Sequence, residues 1–198
     1  MFNALNSIQE FITLNEKRLA NEYLSKFARL MRVYLNHSSK DWVPLEEEVQ
    51  ALKLYLDLEK LRFENAQIQL NIDPKLEMAH ILIPPLFVQP YVENAFKHGL
   101  LHKPNDRKLN VSFDKTANNT LQIIIEDNGV GRKKAMDIKS KRTNKNLSFS
   151  MTANKQRLQL LNYNKQQQIE VEIIDLEKDS RAAGTKVIIR IPSYELTG

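Results

Sequence analysis

The sequence predicts an α/β protein in which an N-terminal helical hairpin precedes a two-layer α/β sandwich, with helices on one face of a mixed, mainly antiparallel sheet. Three observations support this fold class. Apolar residues recur at helical spacings of three, four or seven as far as Phe63. From about Gln67 the period changes to two, as in half-buried strands. These strands then alternate with helical segments, a pattern that favours two packed layers.

Two amphipathic helices are predicted within residues 1–65. The first should end where polar residues cluster between Asn36 and Lys40, and the second begins near Pro44 with three glutamates that suit the positive end of a helix dipole. The apolar stripe of the first helix and the narrow seam of the second are Leu5, Ile8, Ile12, Leu19, Tyr23, Phe27, Leu30 and Tyr34, and then Leu45, Val49, Leu52, Leu56 and Phe63. The short link indicates an antiparallel hairpin. Its stripes either pair with a second copy in a four-helix bundle or pack on the following domain.

Strands are predicted wherever apolar and polar residues alternate. The apolar members of the five alternating segments are Ile68, Leu70 and Ile72; Leu109, Val111 and Phe113; Leu121, Ile123 and Ile125; Ile169, Val171 and Ile173; and Val187, Ile189 and Ile191. A hairpin turn is predicted over residues 115–119. Residues 132–146 are polar and lysine-rich without a clear period, so we expect a mobile loop there.

Two helices are predicted among these strands. One opens at Pro84 and Pro85 and runs to about His98, and the other runs from Thr152 to Tyr163.

The composition limits the possible functions. A hydrophobic fraction of 42% is enough for a folded core, and the lack of cysteine excludes disulfides and thiolate metal sites. The net charge of +5 suits a polyanionic ligand, a class that includes nucleotides, nucleic acid and acidic lipid. No apolar run is long enough to span a membrane. The chain begins inside an apolar-periodic helix without a signal peptide, from which we expect a fragment of a longer protein.

Four polar residues cluster near the C-terminal end of the helix that follows the two prolines. Glu93, Asn94, Lys97 and His98 lie three to five positions apart or adjacent, so several of them share a face. An asparagine oxygen suits Mg²⁺, which is usually held by few protein groups plus substrate phosphates, and lysine supplies a point charge for phosphate. The alternative is an ordinary helix end, with Gly99 as the cap and basic residues near the negative end of the dipole.

Two glycine-containing segments carry further candidate residues. Asp127 directly follows an apolar strand and could receive an exocyclic amine, while Gly129 and Gly131 allow positive φ and close approach of a ligand. Gly184 and Thr185 precede the last strand. Each segment by itself is also ordinary turn chemistry.

In this order and at these spacings, the three segments resemble the N, G1 and G3 boxes of the ATPase superfamily shared by gyrase, MutL and histidine kinases. Further residues extend the resemblance to the autolysin-regulator (LytS-like) class of sensor histidine kinases, over nearly the whole chain. These residues are Phe2-Asn3-Ala4-Leu5-Asn6-Ser7-Ile8, Val43-Pro44-Leu45-Glu46-Glu47-Glu48, Tyr55-Leu56, Glu59 and Arg62-Phe63.

The resemblance implies a Bergerat-type ATPase sandwich with ATP bound between its helices and a lid. It implies that residues 1–65 form the dimerisation and phosphoacceptor hairpin and that residues 66–196 form the ATP-binding catalytic domain. At the phosphate end, it implies that Asn94 coordinates Mg²⁺, that Glu93 acts as a base or orients the site, and that Lys97 and His98 lie near the phosphates.

At the adenine end, the resemblance implies that Asp127 binds the adenine amino group and that Gly129 and Gly131 shape the adenine pocket and the lid hinge. Thr185 would support adenine binding. The segment from Arg132 to about Ser150 would form the ATP lid.

Two departures from the family pattern affect these expectations. The phosphorylated histidine of this class lies in Pro-His-Phe-X-Phe-Asn, but only Met1 precedes Phe2-Asn3 here, so we do not expect this chain to phosphorylate itself. The lid motif Gly-X-Gly-Leu is replaced by a segment containing Ser148 and Ser150. Serine loses easy access to positive φ, so either the lid closes differently or ATP binds more weakly.

The resemblance therefore implies the ATP-binding core of a two-component sensor kinase, which transfers the γ-phosphoryl of ATP to an upstream histidine for relay to a response regulator. We expect ATP and Mg²⁺ as cofactors, a homodimer, no nucleic-acid partner, and a cytoplasmic domain that reaches an inner membrane only through an N-terminal part outside this chain. One alternative is a degenerate kinase that serves as a nucleotide-binding or dimerising module. Another is a gyrase-type or MutL-type ATPase that acts on nucleic acid.

Overall fold

A computed structural model describes residues 2–63, 65–116, 120–140, 147–163, 168–179 and 181–192 of the chain. The helices are α1 Phe2–Thr13, α2 Lys17–His37, α3 Leu45–Arg62, α4 Gln89–Asn94, α5 Arg132–Ser140 and α6 Leu147–Asn162. The strands are β1 Val43–Pro44, β2 Ala66–Ile72, β3 Leu82–Ile83, β4 Arg107–Lys115, β5 Thr120–Asp127, β6 Glu170–Lys178 and β7 Arg181–Pro192.

The five strands predicted from alternation form one sheet in the order β2-β4-β5-β7-β6. Only β2 and β4 pair in parallel, and the other three pairs are antiparallel. The apolar members of the central strands point into the core, where Val111, Phe113, Ile123 and Ile189 are completely buried. The predicted mixed, mainly antiparallel sheet is therefore confirmed, because period-two patterning marks the buried face directly.

The first predicted helix is interrupted, which corrects the expectation of one continuous helix. Helix α1 ends at Thr13, and Asn15, two residues beyond, has a φ of +59°. The Glu16 N–H donates to Phe11 O, and the Asn15 N–H donates to Ile12 O, which together form a Schellman C-cap. The apolar period continues across this break, so the stripe did not reveal it. Helix α1 packs on α2, with the rings of Phe11 and Tyr23 5.8 Å apart.

Helix α3 is buried over a wider surface than the narrow apolar seam predicted for it. The seam residues Leu45, Val49, Leu52 and Leu56 are buried, and so are Glu48, Ala51, Tyr55, Leu58 and Glu59. The reason is that α3 lies between α2 and the sandwich. The rings of Tyr55 and Phe63 pack on Phe96 at centroid distances of 6.2 and 5.3 Å. The hairpin was predicted either to pair with a second copy or to pack on the following domain. Helix α3 packs on the following domain.

The helix expected to open at Pro84 and Pro85 begins later, at Gln89. A turn occupies the intervening residues, and Leu86 within it has a φ of +53°, which a helix cannot include. The helix also continues beyond Gly99, through a π-helical turn over Ala95–Gly99 and a 3₁₀ turn over Leu100–His102. Gly99 is therefore not the helix cap that the sequence allowed.

The segment expected to be a mobile loop contains helix α5, and α6 begins at Leu147 rather than at Thr152. Residues 141–146 of the expected loop lie outside the described part of the chain. The Arg132 guanidinium pairs with Asp175 on β6, with its Nε 2.7 Å from Oδ1. Within the described residues of α5, only Ala135 is buried. A helix with one buried position shows no apolar period, although its Arg, Lys, Ala and Met residues favour helix.

A two-stranded sheet of β1 and β3 was not predicted. Val43 pairs with Ile83, and Pro44 pairs with Leu82, in antiparallel register. Two-residue strands are too short to show a period. This pairing places the first turn of α3 beside the segment that leads into α4.

Candidate functional site

A cavity of about 390 Å³ lies between the sheet and helices α4, α5 and α6. The predicted site residues Asn94, His98, Asp127, Gly131 and Thr185 line it. They come from three segments that are far apart in the chain, so the fold brings the three predicted motifs to one place.

Asp127 is the last residue of β5, and only 4% of it is exposed. Its Oδ1 accepts a hydrogen bond from the Gly129 N–H at 2.8 Å. Burial raises the pKa of Asp127 to about 6, while the N–H groups of Gly129 and Thr185 and the Lys103 ammonium act to lower it. A buried carboxylate that lines a cavity is suited to accept hydrogen bonds from an amino group of a ligand.

Gly99 and Gly129 allow the extension of α4 to touch the turn after β5. A Cβ on Gly99 would lie 2.5 Å from Asp127 Oδ1, and a Cβ on Gly129 would lie 2.3 Å from the Cα of Gly99. The sequence suggested a ligand as the reason for Gly129, but the close neighbour is the protein backbone. Gly131, in contrast, has a φ of +76°, the conformation expected for it.

The four polar residues of the first motif divide between two faces of the helix. Asn94 and His98, four positions apart, line the cavity. Glu93 and Lys97 instead pair with each other, since the Lys97 ammonium donates to Glu93 Oε2 at 2.6 Å. Gln89 Nε2 donates to Glu93 Oε1 at 3.0 Å. Glu93 is therefore held in place from both sides beside the cavity.

The Glu93 carboxylate lies toward the helical hairpin. Burial raises the pKa of Tyr34 on α2, and the negative charges of Glu93, Glu48 and Glu59 raise it further. The Tyr34 hydroxyl is buried, and within the described residues it has no hydrogen-bond partner. The Tyr34 hydroxyl of the hairpin therefore lies within electrostatic reach of the first motif.

Thr185 lies directly opposite Asp127 in the antiparallel register of β5 and β7. This pairing explains how two motifs almost sixty positions apart reach the same end of the cavity. The backbones of Ser148 and Ser150 lie in the first turn of α6. Their side chains lie outside the described part of the chain.

Several residues that line the cavity were not predicted as site residues. The apolar ones on strands are Ile125, Val171, Ile173 and Val187, and those on helices are Tyr91, Ala95, Ala135, Met136 and Leu158. The strand residues were available from the alternation pattern, which placed them on the inward face. The polar residues Asn154 and Lys155 on α6 also line the cavity. Nothing in the local sequence separates Lys155 from the many lysines around it.

Two basic residues support the site from behind. The Lys103 ammonium donates to Asn128 O at 2.8 Å. Arg107 Nε donates to Leu100 O at 3.0 Å and to Lys103 O at 2.7 Å, and so caps the C-terminal end of the extended helix. Arg107 also lies over the ring of Phe63, 5.3 Å from its centroid.

Within the described ranges, no group of three or more His, Cys, Asp or Glu side chains is arranged to hold a metal ion. Among the same residues, no helix has both the length and the apolar character that a membrane crossing requires.

Comparison with known proteins shows what this chain is similar to. The family model described as histidine kinase matches residues 1–67. A sensor histidine kinase/phosphatase, LytS of Staphylococcus aureus strain MRSA252, is 30% identical over 130 residues, which are 66% of this chain and 22% of that protein. The chain is therefore similar to sensor histidine kinases over part of its length. It spans about a fifth of the length of the curated relatives it matches.

Solved histidine kinase structures share the fold of this chain. The histidine kinase domain of the blue-light activated kinase EL346 of Erythrobacter litoralis matches with a TM-score of 0.53 and 15% identity, covering 96% of this chain and 94% of that one. The mycobacterial sensor histidine kinase MprB matches with a TM-score of 0.51 and 13% identity, covering 78% of this chain and 98% of that one. These matches confirm the predicted fold class.

Proposed function

We propose that this chain is the ATP-binding catalytic core of a sensor histidine kinase, with residues 1–65 as the dimerisation and phosphoacceptor hairpin and residues 66–196 as the catalytic domain. The observation that carries the proposal is Asp127. It is a buried carboxylate on the wall of a cavity, opposite Thr185 and beside the contact between Gly99 and Gly129. This arrangement suits recognition of the adenine amino group.

The adenine end of the proposed site consists of Asp127 and Thr185, with the sheet residues Ile125, Val187 and Ile173 as an apolar surface for the base. The carboxylate accepts from the exocyclic amine, and Thr185 supports it directly or through water. Gly131, with its positive φ, provides the hinge from which α5 and the rest of the lid extend.

The phosphate end consists of Asn94 and His98, joined by Lys155 from α6. The amide oxygen of Asn94 fits Mg²⁺, which accepts hard neutral oxygen ligands and is usually held by few protein groups plus substrate phosphates. When bound, Mg²⁺ would neutralise charge on the phosphates. Glu93 orients this end of the site, because it is fixed by Gln89 and Lys97.

The lid motif supports retained phosphate binding despite its two serines. Ser148 and Ser150 fall in the first turn of α6, where backbone N–H groups have no partner within the helix. Those groups are suited to phosphate oxygens whether the residue is glycine or serine. A positive φ, the property that serine lacks, is not needed in a helical turn.

The reaction we propose is transfer of the γ-phosphoryl group of ATP to a histidine upstream of Phe2 in the intact protein. A neutral imidazole nitrogen attacks the γ-phosphorus, the bond to the bridging oxygen breaks, and ADP leaves. The protein contributes positioning and neutralisation of charge. The phosphoryl group then passes to an aspartate on a response regulator, and a membrane is reached only through parts outside this chain.

A homodimer is part of the same proposal. Leu24 and Leu35 on α2 are 51% and 71% exposed. They lie eleven positions apart, which is about three turns, so they occupy the same face of the helix. Apolar side chains left exposed on α2, within the unit formed by α1, α2 and α3, suit pairing with a second copy.

Calorimetry with a non-hydrolysable ATP analogue and Mg²⁺ tests this function. The chain should bind the analogue in the micromolar to millimolar range, and Asp127→Asn should weaken binding about tenfold or more, or about 1.4 kcal/mol. Glu126→Gln is the matched control, since Glu126 precedes Asp127 on the same strand but pairs with Lys186 at 3.2 Å. Failure of the parent chain to bind the analogue would overturn the proposal in favour of the degenerate module.

A further inference from the structure

Glu48 is a charged residue of the hairpin whose role is not explained by the site described so far. It lies in the first turn of α3, and only 1% of it is exposed. Its two carboxylate oxygens accept separate backbone hydrogen bonds, Oε2 from the Leu86 N–H at 2.6 Å and Oε1 from the Val88 N–H at 3.1 Å. A hairpin side chain therefore holds a loop about forty positions further along the chain.

The loop it holds, residues 85–88, has a conformation that needs outside support. Leu86 has a φ of +53°, a backbone conformation that is rare for residues other than glycine and especially for bulky ones. Such conformations persist where neighbouring groups impose them. The two hydrogen bonds to Glu48 are formed by the residues on either side of Phe87, so they set the direction of the loop.

A second element holds the same loop from the other side. Arg157 on α6 donates from Nη2 to Pro85 O at 2.6 Å, and its guanidinium lies 5.9 Å from the centroid of the Phe87 ring. Arg157 also contributes a positive charge near Glu48. The loop is therefore fixed between the hairpin and the helix that follows the lid.

The position of this loop determines where α4 begins. Gln89, the first residue of α4, directly follows Val88, and the same helix carries Asn94 to the cavity. Asp127, at the other end of the cavity, stands on β5, which is held by its pairing with β4 and β7 and not by hydrogen bonds to the loop. A displacement of the loop would thus move the phosphate end of the site relative to the adenine end.

We propose that Glu48 is a positioning residue for the phosphate end of the nucleotide site, acting through residues 85–88 on the placement of Asn94. The inference rests on the proposed function, because it assigns the nucleotide phosphates to Asn94. It links the hairpin, which would carry the acceptor histidine in the intact protein, to the group that would hold Mg²⁺.

Replacement of Glu48 by glutamine tests this role with little change in volume. Glutamine has one acceptor oxygen, so its amide NH₂ must face one of the two N–H donors, and one hydrogen bond is lost. The matched control is Glu46→Gln, a change of the same chemistry at an exposed position in the same helical turn. Circular dichroism and thermal melting report whether each variant is folded.

Two ligands separate positioning from a general loss of structure. We expect Glu48→Gln to weaken binding of an ATP analogue with Mg²⁺ about fivefold to tenfold, and to leave adenosine affinity, followed by ligand-observed NMR, within about twofold. Glu46→Gln should change neither. Arg157→Gln removes the hydrogen bond to Pro85 O without altering α3. It should also weaken binding of the ATP analogue relative to binding of adenosine. This variant tests the proposal if Glu48→Gln does not fold.

Equal loss of adenosine and analogue binding in these variants would overturn the proposal, because it would show a structural role only. Unchanged binding of both ligands would overturn it as well. If the parent chain binds adenosine and the analogue with equal affinity, or binds neither, the proposed function itself fails, which is a different result from a failure confined to the variants.

Discussion

Gly99 and Gly129 are in direct backbone contact, and a Cβ on Gly129 would lie only 2.3 Å from the Cα of Gly99. This contact joins the extension of α4, which carries Asn94 and His98, to the turn that carries Asp127. The Val130 N–H also donates to Gly99 O at 3.4 Å. The two ends of the proposed nucleotide site are therefore placed relative to each other by two residues without side chains.

Gly99→Ala should displace the Asp127 carboxylate, because the new Cβ would lie 2.5 Å from Oδ1. We expect a destabilisation of about 1–3 kcal/mol from overpacking and a loss of nucleotide affinity of about tenfold. Urea unfolding and calorimetry measure the two effects. Leu101→Ala, at a 48% exposed position of the same helical segment, is the control. Normal affinity in Gly99→Ala would show that this contact does not position Asp127.

Nucleotide affinity should depend on pH through Asp127. Burial raises the pKa of this carboxyl to about 6, so it is ionised at pH 7.5 and mostly protonated at pH 5. Only the ionised form offers both oxygens as acceptors to the adenine amine, so affinity should fall about tenfold over this range, following the ionised fraction. The affinities of the parent chain and of Asp127→Asn are measured at each pH and divided. Titration of the nucleotide phosphates affects both affinities equally and so does not change their ratio. A ratio that stays constant from pH 7.5 to 5 would contradict this prediction.

Stability should depend on pH through Glu48. Burial raises its pKa from 4.5 to about 7, while the N–H groups of Val88 and Leu86 and the charge of Arg157 act to lower it. Tyr34 on α2 also lies within electrostatic reach of Glu48. Because the folded-state pKa is the higher one, the folded protein holds this proton more tightly than the unfolded chain. The resulting stabilisation is fully present below the unfolded value of 4.5 and is lost as the pH rises through about 7.

Urea unfolding of the parent chain and of Glu48→Gln at several pH values isolates this effect. The difference in the free energy of unfolding between them should decrease by about 2 kcal/mol from pH 5 to pH 8. Other carboxyls that titrate in this range contribute to both proteins and cancel. A difference that stays constant from pH 5 to pH 8 would show that the buried group is ionised throughout this range.

Phe63 should couple the stability of the hairpin to that of the sandwich. Its ring stacks on Phe96 at 5.3 Å, and the guanidinium groups of Arg62 and Arg107 lie 5.1 and 5.3 Å from its centroid. Phe63→Ala should reduce the free energy of unfolding by about 3–5 kcal/mol, as for other buried aromatic truncations. Tyr163→Ala, at a 75% exposed position, should change it little.

Circular dichroism in urea measures this stability change and also its cooperativity. The parent chain should unfold in one transition, because the buried side chains of the hairpin and the sheet form one continuous core. Two separate transitions in the parent chain, with Phe63→Ala affecting only one of them, would mean that the hairpin and the sandwich fold independently.

The proposed dimer should depend on Leu24 and Leu35. The double variant Leu24→Lys and Leu35→Lys places two charges on the exposed stripe of α2, where burial against a second copy would require their desolvation. Sedimentation velocity should show a dimer for the parent chain and a monomer for this variant. Leu160→Lys, at a 77% exposed position on α6, is the control and should remain dimeric. A monomeric parent chain would remove the dimer from the proposed function.

Some features of the protein could be predicted because they are local in the chain. The five strands of the main sheet follow from alternation, since every second residue of a half-buried strand faces the core. The segments around Asn94, Asp127 and Thr185 could be recognised by residue type and order, and the cavity contains all three. The hairpin seam from Leu45 to Leu56 is also buried as its spacing predicts.

Other features depend on contacts that local patterns do not encode. The loop before α4, which begins at Gln89, is held by hydrogen bonds to Glu48. Helix α1 is ended by a backbone cap at Asn15. Helix α5 is held by the buried Ala135 and by the ion pair from Arg132 to Asp175 on β6. None of these produces an apolar period. The buried faces and the motifs could thus be read from the chain alone, because burial repeats at fixed spacing. The ends of the helices and the meeting of distant residues could not, because they depend on backbone hydrogen bonds and close contacts between segments far apart in the chain.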